Sequence, residues 1–133
     1  MATGTAGSVA RQYATQQIHY LRKTVVFGDD GVAKTVGVLP SGATILKALS
    51  GVNVDVAFDA GTTNTLNIGS SADDNLYATL LALGAIAFVP LDEAVAMTLT
   101  ADTTITATVV LTGTAAAAGQ AEVIIAYIPD NDG

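Results

Sequence analysis

The chain has 133 residues, half of them apolar and only 13% charged, with a formal net charge of −7 and no cysteine. That length is one domain's worth, and the apolar share excludes a disordered chain. The lack of cysteine excludes disulfides, CxxC redox motifs and thiolate metal sites. The acidic balance argues against a nucleic-acid binder, whose phosphate contacts need Lys and Arg.

The charge is unevenly placed. All five basic residues (Arg11, Arg22, Lys23, Lys34, Lys47) precede residue 50, and ten of the twelve acids follow it. With so few charges, the 18 Thr, 13 Gly and 24 Ala must cover much of the surface, which then is neutral and small-grained and suits close contact with other protein. The first twenty residues lack the apolar core of a signal peptide. The longest apolar run, Leu80 to Leu91, is 12 residues and contains Gly84 and Pro90. A membrane helix needs about 20, so no membrane contact is expected.

Residues 1–22 form the first segment. Val9, Tyr13, Gln16/Gln17, Tyr20 and Leu21 fall at a spacing that allows a short helix, but nothing caps one. Gln, Thr and Tyr equally suit an extended arm that orders on a neighbour. Arg11, Arg22 and Lys23 make this end cationic against an acidic body, which points to an arm reaching an acidic partner surface; the plain alternative is a frayed terminus. Lys23 to Phe27 is β-branched and aromatic, hence a strand, and Gly28 to Gly31 is a turn. Val32 to Leu39 is the next strand, broken by Pro40-Ser41-Gly42. Ala43 to Leu49 reads as a strand, and Gly51 as a bulge or bend.

The stretch GVNVDVAFDAGTTNTLNI, Gly51 to Ile68, is the centre of the pattern. Val52, Val54, Val56 and Phe58 alternate with polar or small residues, a turn follows at 60–64, and Leu66 and Ile68 resume the alternation, so a hairpin with one wet face is expected. Asp73 or Asp74 could N-cap a short helix over 73–83, with Leu76, Leu80 and Leu83 on one face and Gly84 at its end. Ala85 to Val89 reads as a strand up to Pro90. Val95 to Thr100 and Thr104 to Leu111 alternate as two strands, TGTAAAAG (112–119) is a low-complexity loop, and Ala121 to Tyr127 is the last strand. Short strands at this spacing mean an all-β sandwich or barrel. The expected domain is 23–129, between the arm at 1–22 and an acidic tail at 130–133.

Chemistry-bearing residues are few. His19 is the single histidine and falls in the arm, a poor place for a base that a triad must hold rigidly. The adjacent pairs Asp29/Asp30, Asp73/Asp74 and Asp92/Glu93 sit in turns, where Asp is expected for backbone reasons. Asp29-Asp30 and Asp73-Asp74-Asn75 offer oxygen ligands that Ca²⁺ would accept, but no segment matches an EF-hand loop. No phosphate-cradling glycine motif is present. Without Trp, and with Tyr127 in phase with the core, the aromatic platforms of a sugar site are lacking. Neither an enzyme nor a bound cofactor or metal is expected. The expected partner contacts are Arg11, Tyr13, His19, Tyr20, Arg22 and Lys23.

The run LPSGATILKALSGVNVDVAFDAGTTNTLNI, Leu39 to Ile68, resembles small virion proteins of tailed bacteriophages. In those a proline-glycine turn leads to a strand, then an alternating strand ends near F-x-A-G-T, then T-L-x-I-G follows. TADTTITATVVLTGTAAAAGQAEVIIAYI, Thr100 to Ile128, is similar to that family's closing hairpin. The resemblance covers about residues 33–128 and rests on turn and strand signatures. It implies a jelly-roll-like β-sandwich of the capsid decoration (cement) or head-fibre-base type, commonly a homotrimer. It further implies the major capsid protein of the same virion as partner, and a place on the capsid surface after synthesis in the host cytoplasm. The alternative is a tail, baseplate or receptor-binding fibre-base module.

Overall fold

The computed structural model describes residues 18–129 as an all-β sandwich. Nine strands lie within them: β1 (His19–Val26), β2 (Ala33–Leu39), β3 (Thr44–Ile45), β4 (Gly51–Val56), β5 (Thr63–Ser70), β6 (Ala78–Ala82), β7 (Phe88–Pro90), β8 (Thr103–Thr112) and β9 (Gln120–Ile128). One sheet has the order β1-β9-β4-β7, with the two-residue β3 also on β9, and the other β2-β8-β5-β6. All the strand pairings are antiparallel. Leaving β3 aside, the pairs β1/β9, β2/β8, β4/β7 and β5/β6 nest inside one another and alternate between the sheets. That nesting is the jelly roll.

Alternation decides the core. Val52 and Val54 on β4, Leu66 and Ile68 on β5, Ile105, Ala107 and Val109 on β8, and Ala121, Val123 and Ile125 on β9 are all at most 1% exposed. They come from both sheets and close one aliphatic cluster. Each large aliphatic side chain buried this way contributes about 1.5–3 kcal/mol relative to leaving it in water.

Where the structure departs from the sequence reading, a tertiary partner is the reason. Gly51 to Ile68 is not a hairpin: β4 pairs with β9 and β7 in one sheet, and β5 pairs with β8 and β6 in the other. The connection is an arch between the sheets. Phe58 drops into the core at 2% exposure, and Asn64 holds Ala60 by accepting its N–H at 2.8 Å and donating to its carbonyl at 3.0 Å. β8 and β9 likewise lie in different sheets, so the closing hairpin is also an arch.

The short helix over 73–83 is replaced by turns and β6. Leu81 and Leu83 are buried while Leu80 is 55% exposed, which is a period of two, not 3.6. Side chains across the sheet capture the backbone that a helix would have used. Asn67 accepts the Leu80 N–H at 2.8 Å and Asp92 the Thr79 N–H at 3.0 Å. β1 begins at His19, so residues 19–22, read as arm, belong to the first strand. Val95 to Thr100 is irregular, with a lone bridge from Thr98 to Thr44.

Ala43 to Leu49 contains only β3 and a 3-10 turn, Lys47–Leu49. The turn interrupts the partner strand of β9, and Ser50, fully buried, repairs the gap. Its hydroxyl accepts the Ala126 N–H at 2.9 Å and donates to the Leu46 carbonyl at 2.8 Å. A side chain thereby supplies the acceptor that the interrupted ladder lacks there.

Candidate interaction surfaces

In each acidic pair at least one carboxylate serves the backbone. Asp29 accepts the Val26 N–H at 2.9 Å and stands 3.4 Å from Lys34. Asp30 accepts the Leu111 N–H at 2.9 Å, Asp73 accepts that of Asn75 at 3.3 Å, and Asp102 accepts that of Ser41 at 2.9 Å. Asp59 accepts two, from Ala117 at 2.8 Å and Ala118 at 3.0 Å, and so pins the alanine loop. A carboxylate that caps a loop N–H is a strong, charge-assisted acceptor and fixes the loop's path. Among the described residues no group of three or more His, Asp or Glu converges as a metal site would require. Burial raises the phenol pKa of Tyr77 above its ordinary value.

Of the expected contact residues, Arg11 and Tyr13 lie outside the described residues. The other four share β1 but not one face. Tyr20 and Arg22 point outward, whereas His19 and Lys23 share the inward face of Val25. His19 stands against Tyr127, with ring centroids 5.8 Å apart and tilted by 32°. Arg22 grips Glu122 with contacts of 2.7 to 3.0 Å, and this hydrogen bond, with the adjacent negative charge, raises the guanidinium pKa.

Lys23 has a role that its place in the sequence hid. β1 and β2 are the edge strands on one side of the sandwich, and each directs a lysine inward: Lys23 opposite Val123, Lys34 opposite Ala107. An inward charge on an edge strand penalises pairing with another edge. The opposite edges are blunted differently. β7 has three residues and ends in Pro90, and β6 carries an irregularity with Leu80 at φ 55°. Strand-to-strand addition is thus discouraged at every edge, which leaves the faces and loops for contact.

The two outer faces differ. On the β2-β8-β5-β6 sheet the outward rows hold Thr104, Thr106 and Thr108 of β8 beside Thr63, Thr65 and Asn67 of β5. The same face carries Val38 of β2, 56% exposed beside Thr104, and Val110 beside Thr65. Thr108 is 8% exposed, and its Oγ1 has no hydrogen-bond partner among the described residues. On the β1-β9-β4-β7 sheet the outward rows are mixed: Tyr20 and Val26 on β1, Ile124 and Ile128 on β9 and Phe88 and Pro90 on β7 are apolar, and Arg22, Thr24, Gln120, Glu122, Asn53 and Asp55 stand among them. Tyr20 is 59%, Ile128 44% and Phe88 43% exposed. The sequence reading passed over this face. Its signal was the unbroken apolar run Val123-Ile124-Ile125-Ala126, since a strand apolar on both faces is covered on both.

A cleft of about 260 Å³ opens at one end of the sandwich, between Phe27, Asp30, Ala60 and residues 111–116. Its one carboxylate, Asp30, is the group that accepts the Leu111 N–H. The rest of its lining is alanine, glycine, threonine, Phe27 and Leu111.

The chain matches no protein-family model. It also matches no curated protein. Among solved structures it is similar to a chain of one described as "Cyanophage Pam1 capsid asymmetric unit", with 24% sequence identity and a TM-score of 0.65, over 95% of this chain and 96% of that one. At that identity the likeness carries the fold.

Proposed function

We propose that the chain is a structural protein of a bacteriophage virion, a decoration protein that binds the outside of an assembled head and stabilises it through contact rather than reaction. The observation that carries the reading is the likeness in fold, along nearly the whole length of both chains, to a chain from a cyanophage capsid. Two features agree with it. Most of the acids that could have done chemistry hold loop backbone instead. Large apolar side chains such as Tyr20, Val38, Leu80, Phe88 and Ile128 stand exposed on both sheets and could meet a partner protein.

A decoration protein of this kind gains avidity from many simultaneous contacts on a shell. The partner is the major capsid protein, and the resemblance implies a trimer. Residues 1–17, with Arg11 and Tyr13, add contact area on the neighbouring subunit.

The test is to mix the purified protein with shells that lack it and count bound copies. Saturable binding to shells, and none to free coat subunits, is expected. No association at any salt concentration refutes the reading. Labelling on intact particles separates the head surface from a tail or baseplate position. Deleting residues 1–17 leaves β1 whole and is expected to weaken shell binding without unfolding the sandwich.

A further inference from the structure

We propose that the cleft beside the end of β8 is a receptor for one basic side chain, an arginine presented by the shell protein. The inference rests on the proposed function only for the identity of that partner. The chemistry of the cleft stands apart from it.

The cleft is built before anything fills it. On one side is the turn that follows β1. Gly31 donates to the Val109 carbonyl at 2.8 Å and Phe27 to the Gly119 carbonyl at 3.2 Å, so this turn is tied to β8 and to the start of β9. On the other side is the arch at Ala60. Gly61 donates to the Thr114 carbonyl and Thr62 to the Thr112 carbonyl, each at 2.9 Å. A site held on both sides by backbone hydrogen bonds has little left to order when it binds. Its volume of about 260 Å³ lies below the ~300–1,000 Å³ of pockets for drug-sized ligands, which suits a single long side chain.

The lining selects the charge. Asp30 is the one charged residue in it. One oxygen of its carboxylate accepts the Leu111 N–H at 2.9 Å, and the other accepts nothing among the described residues. No base of the described residues lines the cleft: Arg22 grips Glu122, Lys34 stands against Asp29, Lys23 lies within β1 and Lys47 in the turn before β4. Asp29 and Asp59 lie at the same end of the sandwich, and the chain as a whole carries −7. The potential there is negative, which repels phosphates and acidic peptides and attracts a cation.

The rest of the lining selects the side chain. Phe27, Ala60, Leu111, Ala115 and Ala116 offer apolar surface for a methylene stem, along which a basic residue lies while its head group meets the carboxylate. Phe27 is 39% exposed, so its ring is open to contact. That ring favours arginine over lysine, because a guanidinium stacks on an aromatic face and sheds water more readily than an ammonium.

The experiment follows the backbone amides of the full chain by NMR while N-acetyl-arginine amide is added, for the wild type and three variants. Asp30→Asn keeps an oxygen for the Leu111 N–H and removes only the charge. Phe27→Leu removes the ring. Asp102→Asn makes the same change as the first in a loop carboxylate that caps the Ser41 N–H before the other end of β8. Saturable shifts of the Phe27, Leu111, Thr112 and Thr114 amides are expected at millimolar probe, the strength of one side chain. N-acetyl-norleucine amide, which has a stem and no head group, should bind more weakly. Asp30→Asn and Phe27→Leu should each weaken the arginine probe by about threefold or more, as for a partly exposed ion pair, and Asp102→Asn should not. Binding to shells should follow the same order. No saturable shift at the cleft, equal binding of the norleucine probe, or an Asp30→Asn chain equal to wild type would each overturn the inference. So would shells that hold Asp30→Asn and Phe27→Leu as tightly as wild type. Cleft amides that shift when residues 1–17 are deleted would give the site to this chain's own Arg11, and would overturn it too. A wild type that binds the probe but no shell would refute the proposed function and the shell as partner, with the arginine chemistry of the cleft upheld.

Discussion

Replacing Ser50 by alanine removes one hydroxyl that stands in for a missing strand. Ser50 Oγ is the acceptor for the Ala126 N–H, 2.9 Å away, and Ser50 is fully buried while Ala126 is 5% exposed. The Leu46 carbonyl keeps a second donor, the Leu49 N–H at 3.1 Å, and the Ala126 carbonyl keeps the Leu46 N–H at 2.8 Å. The loss thus falls on a single backbone N–H with no alternative partner among the described residues. An unsatisfied buried donor costs about 1–3 kcal/mol, and about 2 kcal/mol is expected here. With an unfolding entropy of about 2.1 cal/mol/K per residue over residues 18–129, 2 kcal/mol corresponds to a fall in Tm of about 8 °C. The assay is calorimetry or a circular-dichroism melt at one fixed protomer concentration, because self-association raises Tm by mass action. Exchange of the Ala126 amide should accelerate in parallel. A loss under about 0.5 kcal/mol, the range of ordinary surface substitutions, would refute the reasoning.

Thr108→Val tests the reverse case. An isosteric methyl in place of the unpartnered buried hydroxyl is expected to stabilise the fold by up to about 1 kcal/mol, read from urea midpoints at constant slope, and a loss would contradict it. Gly119→Ala drives a Cβ into the Phe58 ring and is expected to cost about 1–3 kcal/mol through overpacking, measured the same way. Asp59→Ala frees the Ala117 and Ala118 N–H groups and should open the 113–119 loop to proteolysis while the core strands keep their exchange protection. Tyr77 has a pKa raised in the folded state by burial, so its contribution is fully present below about pH 10 and is lost as pH rises through the higher folded value. Tyr77→Phe should therefore lose less stability than the wild type on going from neutral to strongly alkaline pH, as denaturant midpoints across that range would show.

Much of the fold was legible because a strand's alternation is a local property. Val52 and Val54 and Ile105 to Leu111 announce strands with one apolar face, Ala121 to Tyr127 announces one more, and those strands form where the pattern places them. The candidate site was less legible. Tyr20 and Arg22 carry the outward side of β1, but Lys23 points inward, a distinction that needs the strand to begin at His19 rather than Lys23. The apolar outward positions of β9 could be suspected from Val123 to Ala126 alone, but their neighbours Tyr20, Arg22, Asn53 and Phe88 come from β1, β4 and β7, which are far apart in sequence.

By itself the sequence determined that this is an all-β chain without disulfides, whose sparse charges are sorted into a basic beginning and an acidic remainder. Only the tertiary structure decided which strands meet. The residues from Val52 to Ile68 fit a hairpin and an arch equally well, because both need two alternating strands and a turn. The choice fell to the arch because β9 and β8 offer β4 and β5 longer partners than they offer each other, and because Phe58 can then enter the core. The leucines between Leu76 and Leu83 were decided in the same way, by Asn67 and Asp92 reaching across to claim the N–H groups of Leu80 and Thr79. Hydrogen bonds between residues distant in sequence are invisible to any local period, and in a jelly roll they decide the topology.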